Sequence, residues 1–298
     1  MQAKTIHINE NSGIKSQTLD AGRGGDIHIT ATDSFLLSDG TISTSTRTKN
    51  HYSDFHNEIF QGHAGNITIS GSDISFVNGG GLSSQTYGVG KGGNIDIINA
   101  KNIHLSGTNA SGFACTFHVY SYMEDSGDSG NVTIQSQNLT MKDGAAIFAG
   151  TKGLGTGGNI DIQVSDNFEI LGVNPMGPNN EGYASGLFSR SEGTNDNAGD
   201  AGKISIDSNN FVIKETATVS TSSNGPGNAG NIDISSKYIQ MNANGLISSE
   251  SNGNQNAGEA GAIDIKGEQI HLKCNSQVST NASHAGGGKI NIQTKGLF

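Results

Sequence analysis

The fold is decided by a short motif, which reads GGNIDI at Gly157–Ile162 and AGNIDI at Ala229–Ile234. Nine variants of this motif recur along the chain, and their starts lie 40, 28, 37, 28, 44, 28, 31 and 27 residues apart. Such a repeat is typical of a solenoid, because one unit cannot bury its own apolar face and must stack on its neighbours. The other copies are GGDIHI (Gly24–Ile29), AGNITI (Ala64–Ile69), GGNIDI (Gly92–Ile97), SGNVTI (Ser129–Ile134), AGKISI (Ala201–Ile206), AGAIDI (Ala260–Ile265) and GGKINI (Gly287–Ile292).

Each repeat contains three places where apolar and polar residues alternate, which predicts three short strands. The motif supplies the first apolar pair, a second pair follows five to eight residues later, and a third stretch joins a large residue to a small one. The sequence therefore predicts an all-β, right-handed parallel β-helix of about nine to ten coils. Residues 1–298 are expected to form a single repeat domain that is a segment of a longer array. One repeat gives the pairs Ile160/Ile162, Phe168/Ile170 and Leu187/Ser189.

The Gly and Asn of the motif are expected to form the turn before each first strand. Gly is predicted to allow unusual backbone angles. Asn is predicted to bond to the backbone and to stack on the Asn of the next coil. We expect this ladder to be interrupted where another residue replaces Asn, at Asp26, Lys203, Ala262 and Lys289.

Charge and hydropathy limit the classes of partner. The 17 Lys and Arg residues against 27 Asp and Glu residues give a net charge of −10. This balance argues against nucleic acid or an anionic membrane as a partner. No window of the sequence approaches the apolar run of about 18 residues that a membrane-spanning helix needs.

The two cysteines, Cys115 and Cys274, are not expected to form a disulfide. Cys115 is assigned to the small inward position of the third strand, two residues after Phe113, and Cys274 to a turn. Five coils separate them, or roughly 24 Å at the spacing of paired strands. A disulfide requires Cα atoms within about 7 Å.

Histidines and acids form one candidate metal site in the segment 47–63. His51, His56 and His63 lie there with Asp54 and Glu58. Imidazole and carboxylate groups are suitable ligands for transition metals. Their spacing matches no compact ligand motif, so solvated loop residues are the favoured interpretation and no metal ligand is assigned.

Four acids are candidates for a catalytic groove. Asp96, Asp161, Asp233 and Asp264 occupy the outward position between the two motif isoleucines. Glycoside cleavage needs two carboxylates at a defined separation. Only Asp233 and Asp264 fall in neighbouring coils, and no arginine is predicted beside them. We therefore expect solvated surface acids, with no catalytic or cofactor-binding residue.

Insertions into the repeat are the other candidate sites. Extended loops are predicted at 47–63, at 107–129 and at 172–185, the second as Gly107–Ser111 together with Val119–Ser129. Aromatic residues that could bind sugars are expected to be scattered over different corners. They are Phe55, Phe60, Tyr120, Tyr122 and Tyr183.

The whole chain resembles the repeat region of filamentous-haemagglutinin-like exoproteins, especially members of the cyanobacterial type. The resemblance rests on runs such as GNAGNIDIS (Gly227–Ser235), DGTISTSTR (Asp39–Arg47), YASGLFSR (Tyr183–Arg190) and NGPGNAGNI (Asn224–Ile232). It implies a right-handed β-helical shaft that is secreted or held at the cell surface. It also implies export through an outer-membrane partner by two-partner secretion.

The function expected from the sequence is that of a structural, non-catalytic shaft of an adhesin or surface filament. Its expected partners are a receptor, a glycan or other cells, and end-to-end self-association is possible for such a rod. The alternative is a β-helical polysaccharide-active enzyme or a carbohydrate-binding module. Loops that converge from adjacent coils, with aromatic platforms, would favour the alternative.

Overall fold

The protein is a parallel β-helix, as the sequence predicts. The computed structural model describes residues 1–19, 21–47, 61–174, 183–254 and 256–295, and these residues contain no helix. Strands alternate between two sheets along the chain, and every strand pairs in parallel with its counterparts in the neighbouring coils. One sheet has ten strands and the other has nine, in coil order. The described residues include no helix that is long and apolar enough to cross a membrane.

The strands of the ten-stranded sheet carry odd numbers, and those of the nine-stranded sheet carry even numbers. The first set is β1 Gln2–Ile8, β3 Ile27–Ser38, β5 Ile67–Val77, β7 Ile95–Ser106, β9 Val132–Lys142, β11 Ile160–Leu171, β13 Ile204–Lys214, β15 Ile232–Asn242, β17 Ile263–Leu272 and β19 Ile290–Thr294. The second set is β2 Gly13–Leu19, β4 Thr41–Arg47, β6 Gly81–Thr86, β8 Thr116–Ser121, β10 Ala146–Thr151, β12 Gly186–Ser191, β14 Thr218–Ser223, β16 Leu246–Ser251 and β18 Gln277–Ala282.

The first and second predicted strands of most coils form one long strand. In β11 the motif and the second apolar pair are continuous, and the pairing register shifts between Val164 and Asn167 on both sides. An extra residue at such a shift bends the strand while its hydrogen-bonded ladder continues. Each full coil therefore has one long and one short named strand.

The motif turn forms a third hydrogen-bonded side of each coil, outside the named strands. The amide of Gly92 donates to the carbonyl of Asp128 at 2.8 Å, and the amide of Ile95 donates to Asn131 at 2.9 Å. The same two bonds recur from coil to coil. Inter-coil pairing therefore surrounds the tube on three sides.

The core consists of columns of equivalent apolar side chains. The motif isoleucines of β5 to β17 and the large residue of each short strand from β4 to β16 are almost fully buried. Burial of a side chain of this size contributes about 1.5–3 kcal/mol. The short-strand column consists of Ile42, Leu82, Phe117, Ile147, Leu187, Val219 and Ile247.

The assignment of the third strand in the third coil was wrong by four residues. Phe117 pairs with Leu82 and with Ile147, so Phe117 and Val119 occupy the inward positions that the sequence assigned to Phe113 and Cys115. Phe113 is 70% exposed. The insertion of this coil precedes the short strand and does not follow it.

Close stacking of the motif turns explains their glycines. A Cβ atom at Gly130 would lie 1.9 Å from the carbonyl oxygen of Gly93, and one at Gly158 would lie 1.7 Å from that of Gly130. Neither residue is among those with positive φ. The predicted reason for these glycines was therefore wrong, because they are needed for close approach of the backbones rather than for unusual angles.

The predicted asparagine ladder is present. The side-chain oxygen of Asn66 accepts from the amide of Asn94 at 2.9 Å, and Asn94 accepts in the same way from Asn131. Asp26 does not interrupt it, because its carboxylate oxygen accepts from the amide of Asn66 at 2.8 Å. The backbone amide of Lys203 likewise donates to the side-chain oxygen of Asn159 at 2.8 Å, but the ammonium group of Lys203 has no acceptor with which to continue the ladder.

A second ladder, which the sequence analysis missed, lies three residues before the first. Asp128 accepts from the amide of Thr156 at 3.0 Å, and Asn228 accepts from that of Glu259 at 2.8 Å. The sequence could have predicted this ladder, because residues with short polar acceptor groups recur at this position of the repeat.

The small inward residues of the short strands bond to the motif turns. The hydroxyl groups of Thr221 and Ser249 both donate to the carbonyl of Gly230, at 2.6 and 3.1 Å. Ser84 accepts from the amide of Gly93 at 3.0 Å. Buried peptide groups need such partners, which explains why these positions carry Ser or Thr where a larger apolar residue would also be buried.

Candidate functional site

The four candidate acids lie on the outer face of the long-strand sheet, in one row. Asp233 pairs with Asp264 and with Ser205, while Asp161 lies between Thr133 and Ser205. The structure thus brings only Asp233 and Asp264 together in neighbouring coils, as the sequence indicates. Asp96, which lies between Thr68 and Thr133, is distant from that pair.

Polar side chains of the same or a neighbouring coil bind three of these acids. Lys203 forms an ion pair with Asp233. Asn291 donates to Asp264 at 2.9 Å. Gln163 donates to Asp161 at 3.0 Å. Lys203 is thus a basic group beside these acids. It was not predicted from the sequence, because only arginines were considered.

An open groove of about 560 Å³ follows this row. Asp161, Asp233 and Asp264 line it together with Asp207 and Lys266. Burial raises the pKa of the more distant Asp96, and a hydrogen bond with Thr133 opposes this effect. No group of three metal-ligating side chains occurs in the part of the chain that the structure describes. The groove offers carboxylates, an amide and one lysine that can form hydrogen bonds with a polar ligand.

The proposed histidine cluster cannot be assembled from the described residues. His51, Asp54, His56 and Glu58 lie outside them, as do Phe55 and Phe60. His63 is described, and its Nδ1 atom accepts from the amide of Lys91 at 2.9 Å. His63 thus belongs to the second backbone ladder.

The two cysteines are both free, and their environments differ. Cys115 is fully buried, and its thiol donates to the carbonyl of Ser106 at 3.3 Å. Burial raises the pKa of the Cys115 thiol to about 11. Cys274 is exposed in a turn with φ of 49°. The predicted environments hold, although Cys115 precedes strand β8 rather than lying within it.

Aromatic rings gather on the outer face of the short-strand sheet, where other coils present serine. We call this surface the aromatic belt. The rings of Tyr87 and Tyr122 stack at 4.9 Å between centroids, and Tyr122 lies 4.6 Å from Tyr120. Tyr120 and Tyr122 are therefore not scattered, contrary to the expectation. The belt consists of Tyr87, His118, Tyr120, Tyr122, Phe148 and Phe188.

Strand pairing places these rings in contact. His118 and Phe148 are paired residues with centroids 5.7 Å apart, and Phe148 stacks on Phe188 at 5.0 Å. A Cβ atom at Gly150 would lie 2.6 Å from the ring of Tyr120, so Gly150 leaves room for that ring. Tyr120 and Phe188 are buried, whereas the other four belt residues are partly exposed.

Charged residues border the belt. The guanidinium of Arg190 lies 4.9 Å from the centroid of Phe188 and 5.4 Å from that of Phe148, within the range of a cation–π contact. Lys152 lies 5.9 Å from the ring centroid of Tyr122 and 3.9 Å from the carboxylate of Glu192. The border thus carries two cations and one anion.

Burial within the belt shifts the pKa values of its ionisable side chains. Burial lowers the pKa of His118 to about 4, with an opposing effect from Glu192. His118 is therefore neutral at pH 7. Burial raises the pKa of Tyr122 to about 12, and Tyr87 and Glu192 add to this effect. Burial also raises the pKa of Tyr120 above the ordinary value for tyrosine.

Two insertions meet near the start of the short strands. Thr108 pairs antiparallel with Ala114, so the first insertion closes as a small hairpin, and Val173 pairs antiparallel with Ala184 at the base of the second. The side chain of Asn174 donates to the carbonyl of Gly112 at 2.7 Å and joins the two. Residues 175–182 lie outside the described part. Phe113 and Tyr183 are 70% and 63% exposed on these loops.

Comparison with protein-family models, with curated proteins and with solved structures found no match to this chain.

Proposed function

We propose that this chain is a non-catalytic segment of the shaft of a secreted or cell-surface adhesin or filament protein. The observation that carries the proposal is the continuous parallel pairing of both sheets from coil to coil. The insertion at 107–115 and the bridge between Val173 and Ala184 leave the ladder unbroken, because β8, β10 and β12 stay paired in register. Such a solenoid is quasi-one-dimensional, and the backbone bonds between coils resist bending.

Export through an outer-membrane secretion partner, and adhesion to a receptor, a glycan or other cells, belong to the same proposal. They rest on the resemblance of the repeats to filamentous-haemagglutinin-like exoproteins. The net charge of −10 favours partners other than nucleic acid.

The acids in the groove support a structural role. Asp233 is held by Lys203, Asp264 by Asn291 and Asp161 by Gln163. An exposed ion pair such as Lys203–Asp233 contributes little stability, about 0–1 kcal/mol. The contacts of Asp233 and Asp264 do link one coil to another, as the amide ladders do, whereas that of Asp161 lies within strand β11.

The experiment combines shape with activity. Small-angle scattering of the purified chain should show a rod about 45 Å long, set by about ten coils at the spacing of paired strands. Incubation with pectin, with other acidic glycans and with neutral glycans, with and without calcium or zinc, should release no new reducing ends. Turnover that is lost in Asp233→Asn or Asp264→Asn would establish the enzyme alternative instead.

A further inference from the structure

We propose that the aromatic belt is a binding site for a neutral oligosaccharide. The site lies on the side of the shaft. It rests on the glycan adhesion included in the proposed function and specifies its ligand, whereas the role as a shaft does not depend on it, because a rod that binds no sugar would still be a rod.

The aromatic belt replaces the residue type of the repeat at positions where the fold does not require an aromatic side chain. Along one outward column the short strands carry serine at Ser43 and Ser83 and again at Ser220 and Ser248, and three aromatic residues stand between them. An outward position needs no large apolar side chain for the fold, since the inward columns form the core. His118 and Phe148 remain partly exposed while Phe188 is buried beside them, and apolar surface that stays accessible on an outer face marks interaction sites. The three residues are His118, Phe148 and Phe188.

The rings offer an apolar surface with polar tips. Tyr87 and Tyr122 are partly exposed, and their rings stack with an interplanar angle of 8°. A tyrosine presents an apolar ring and a hydroxyl group at once. A pyranose ring has the complementary character, because its C–H faces are apolar and its hydroxyl groups form hydrogen bonds.

Hydrogen-bonding groups between the rings can exchange partners with such a ligand. The hydroxyl group of Tyr87 donates to Gln85 Oε1 at 3.0 Å. Gln85 Nε2 lies 3.4 Å from Nδ1 of His118 and 3.5 Å from the hydroxyl group of Tyr122. Contacts at the upper limit of hydrogen-bond length are weak, so ligand hydroxyl groups can replace them at small cost.

The charges favour a neutral ligand over a polyanion. Lys152 and Glu192 lie 3.9 Å apart and offset each other, which leaves Arg190 as the uncompensated cation of this border. Arg190 already lies over the rings of Phe148 and Phe188. The chain as a whole carries −10, which repels polyanionic glycans.

The test measures binding of three hexasaccharides to the full 298-residue chain by calorimetry and by tyrosine fluorescence. Two probes are neutral, the β-1,4-linked hexamers of glucose and of N-acetylglucosamine, and the third is the α-1,4-linked hexamer of galacturonate. We expect at least one neutral hexamer to bind. Tyr122→Ala and Tyr87→Ala should each weaken binding by about tenfold, or about 1.4 kcal/mol, because each removes one ring that the ligand contacts.

The matched control is Tyr238→Ala, because Tyr238 is a 47% exposed tyrosine on the long-strand sheet. It should leave the affinity unchanged. Tyr122→Phe retains the ring and removes only the hydroxyl group. It should fold like the parent and bind the ligand more tightly than Tyr122→Ala does. Thermal unfolding of each variant separates lost binding from lost structure.

Three outcomes would overturn the proposal. The first is failure of the unsubstituted chain to bind either neutral hexamer at millimolar concentration. The second is preference for galacturonate, which would indicate an electrostatic surface. The third is an equal loss of affinity in Tyr238→Ala, which would place the ligand elsewhere.

Discussion

Backbone strain is concentrated in the turns that join long and short strands. Glu215 and Thr216 have φ of 61° and 67°. The equivalent turn of an earlier coil has Asp143 and Gly144, with φ of 60° and 84°. This left-handed conformation costs a residue with a Cβ atom roughly 1–2 kcal/mol. Thr216 has the higher cost of the two, since its side chain is β-branched.

Thr216→Gly is therefore expected to stabilise the protein. Removal of the Cβ atom relieves the strain, and the greater freedom of glycine in the unfolded chain offsets part of the gain. The net increase in the free energy of unfolding should be about 0.5–1 kcal/mol, measured from urea unfolding. The control is Ser220→Gly in the extended strand β14, which should lower stability by a similar amount. Destabilisation in both variants would contradict the strain argument.

At the residue scale, sequence reasoning succeeded where a position repeats in every coil. The asparagine ladder was predictable because Asn66, Asn94 and Asn131 follow the same glycine. The reason for that glycine was not predictable, since close approach of Gly130 to Gly93 is visible only once the coils are stacked.

At the element scale, the prediction failed where an insertion separates equivalent positions. In the third coil, Phe113 and Cys115 imitate the pattern of a large and a small residue, whereas Phe117 and Val119 are the pair that continues the inward columns. This error placed Tyr120 in a loop. It thereby hid the aromatic belt, which depends on the correct register of strand β8.

Strand β11 gives a direct test of column packing. Ile160 is fully buried and pairs with Val132 and Ile204. Ile160→Asp would place an unpaired charge inside the tube, and we expect the free energy of unfolding to fall by about 3–5 kcal/mol. Because stability in a solenoid depends on nearest neighbours, amide exchange should increase first in β9, β11 and β13.

The control is Gln135→Asp, which adds the same charge at an exposed outward position of β9. It should change stability by no more than about 0.5 kcal/mol. An Ile160→Asp protein as resistant to urea as the parent would show that this column does not carry the core.

At the scale of the whole molecule, the inward columns and the outer faces were predictable to different degrees. The inward columns make the rod, and they recur with so little variation that the sequence predicts them well. The groove and the belt lie on the outer faces of different sheets, where the repeat does not constrain the residue type. Sites on such faces are local departures from the repeat, so periodicity alone could not predict them.

The last coil presents apolar side chains that coils in the middle of the rod bury. Ile290 and Ile292 in β19 are 41% and 40% exposed, and Leu272 in β17 is 42% exposed, whereas Ile263 and Ile265 in β17 are fully buried. Strand β19 pairs only with β17 among the described strands. An edge of this kind is a template for further pairing.

The isolated 298-residue chain is therefore expected to associate through its open coils into rods whose lengths are multiples of one unit. Sedimentation velocity at increasing concentration should show a series of oligomers, and electron microscopy should show end-to-end rods. Ile292→Lys should shift the distribution towards the monomer, because a charged side chain would have to lose its water in the contact. Gln293→Lys adds the same charge on the other face of β19 and should have the smaller effect. Equal inhibition by both substitutions would indicate general charge repulsion, and a monomer at every concentration would exclude stacking through these edges.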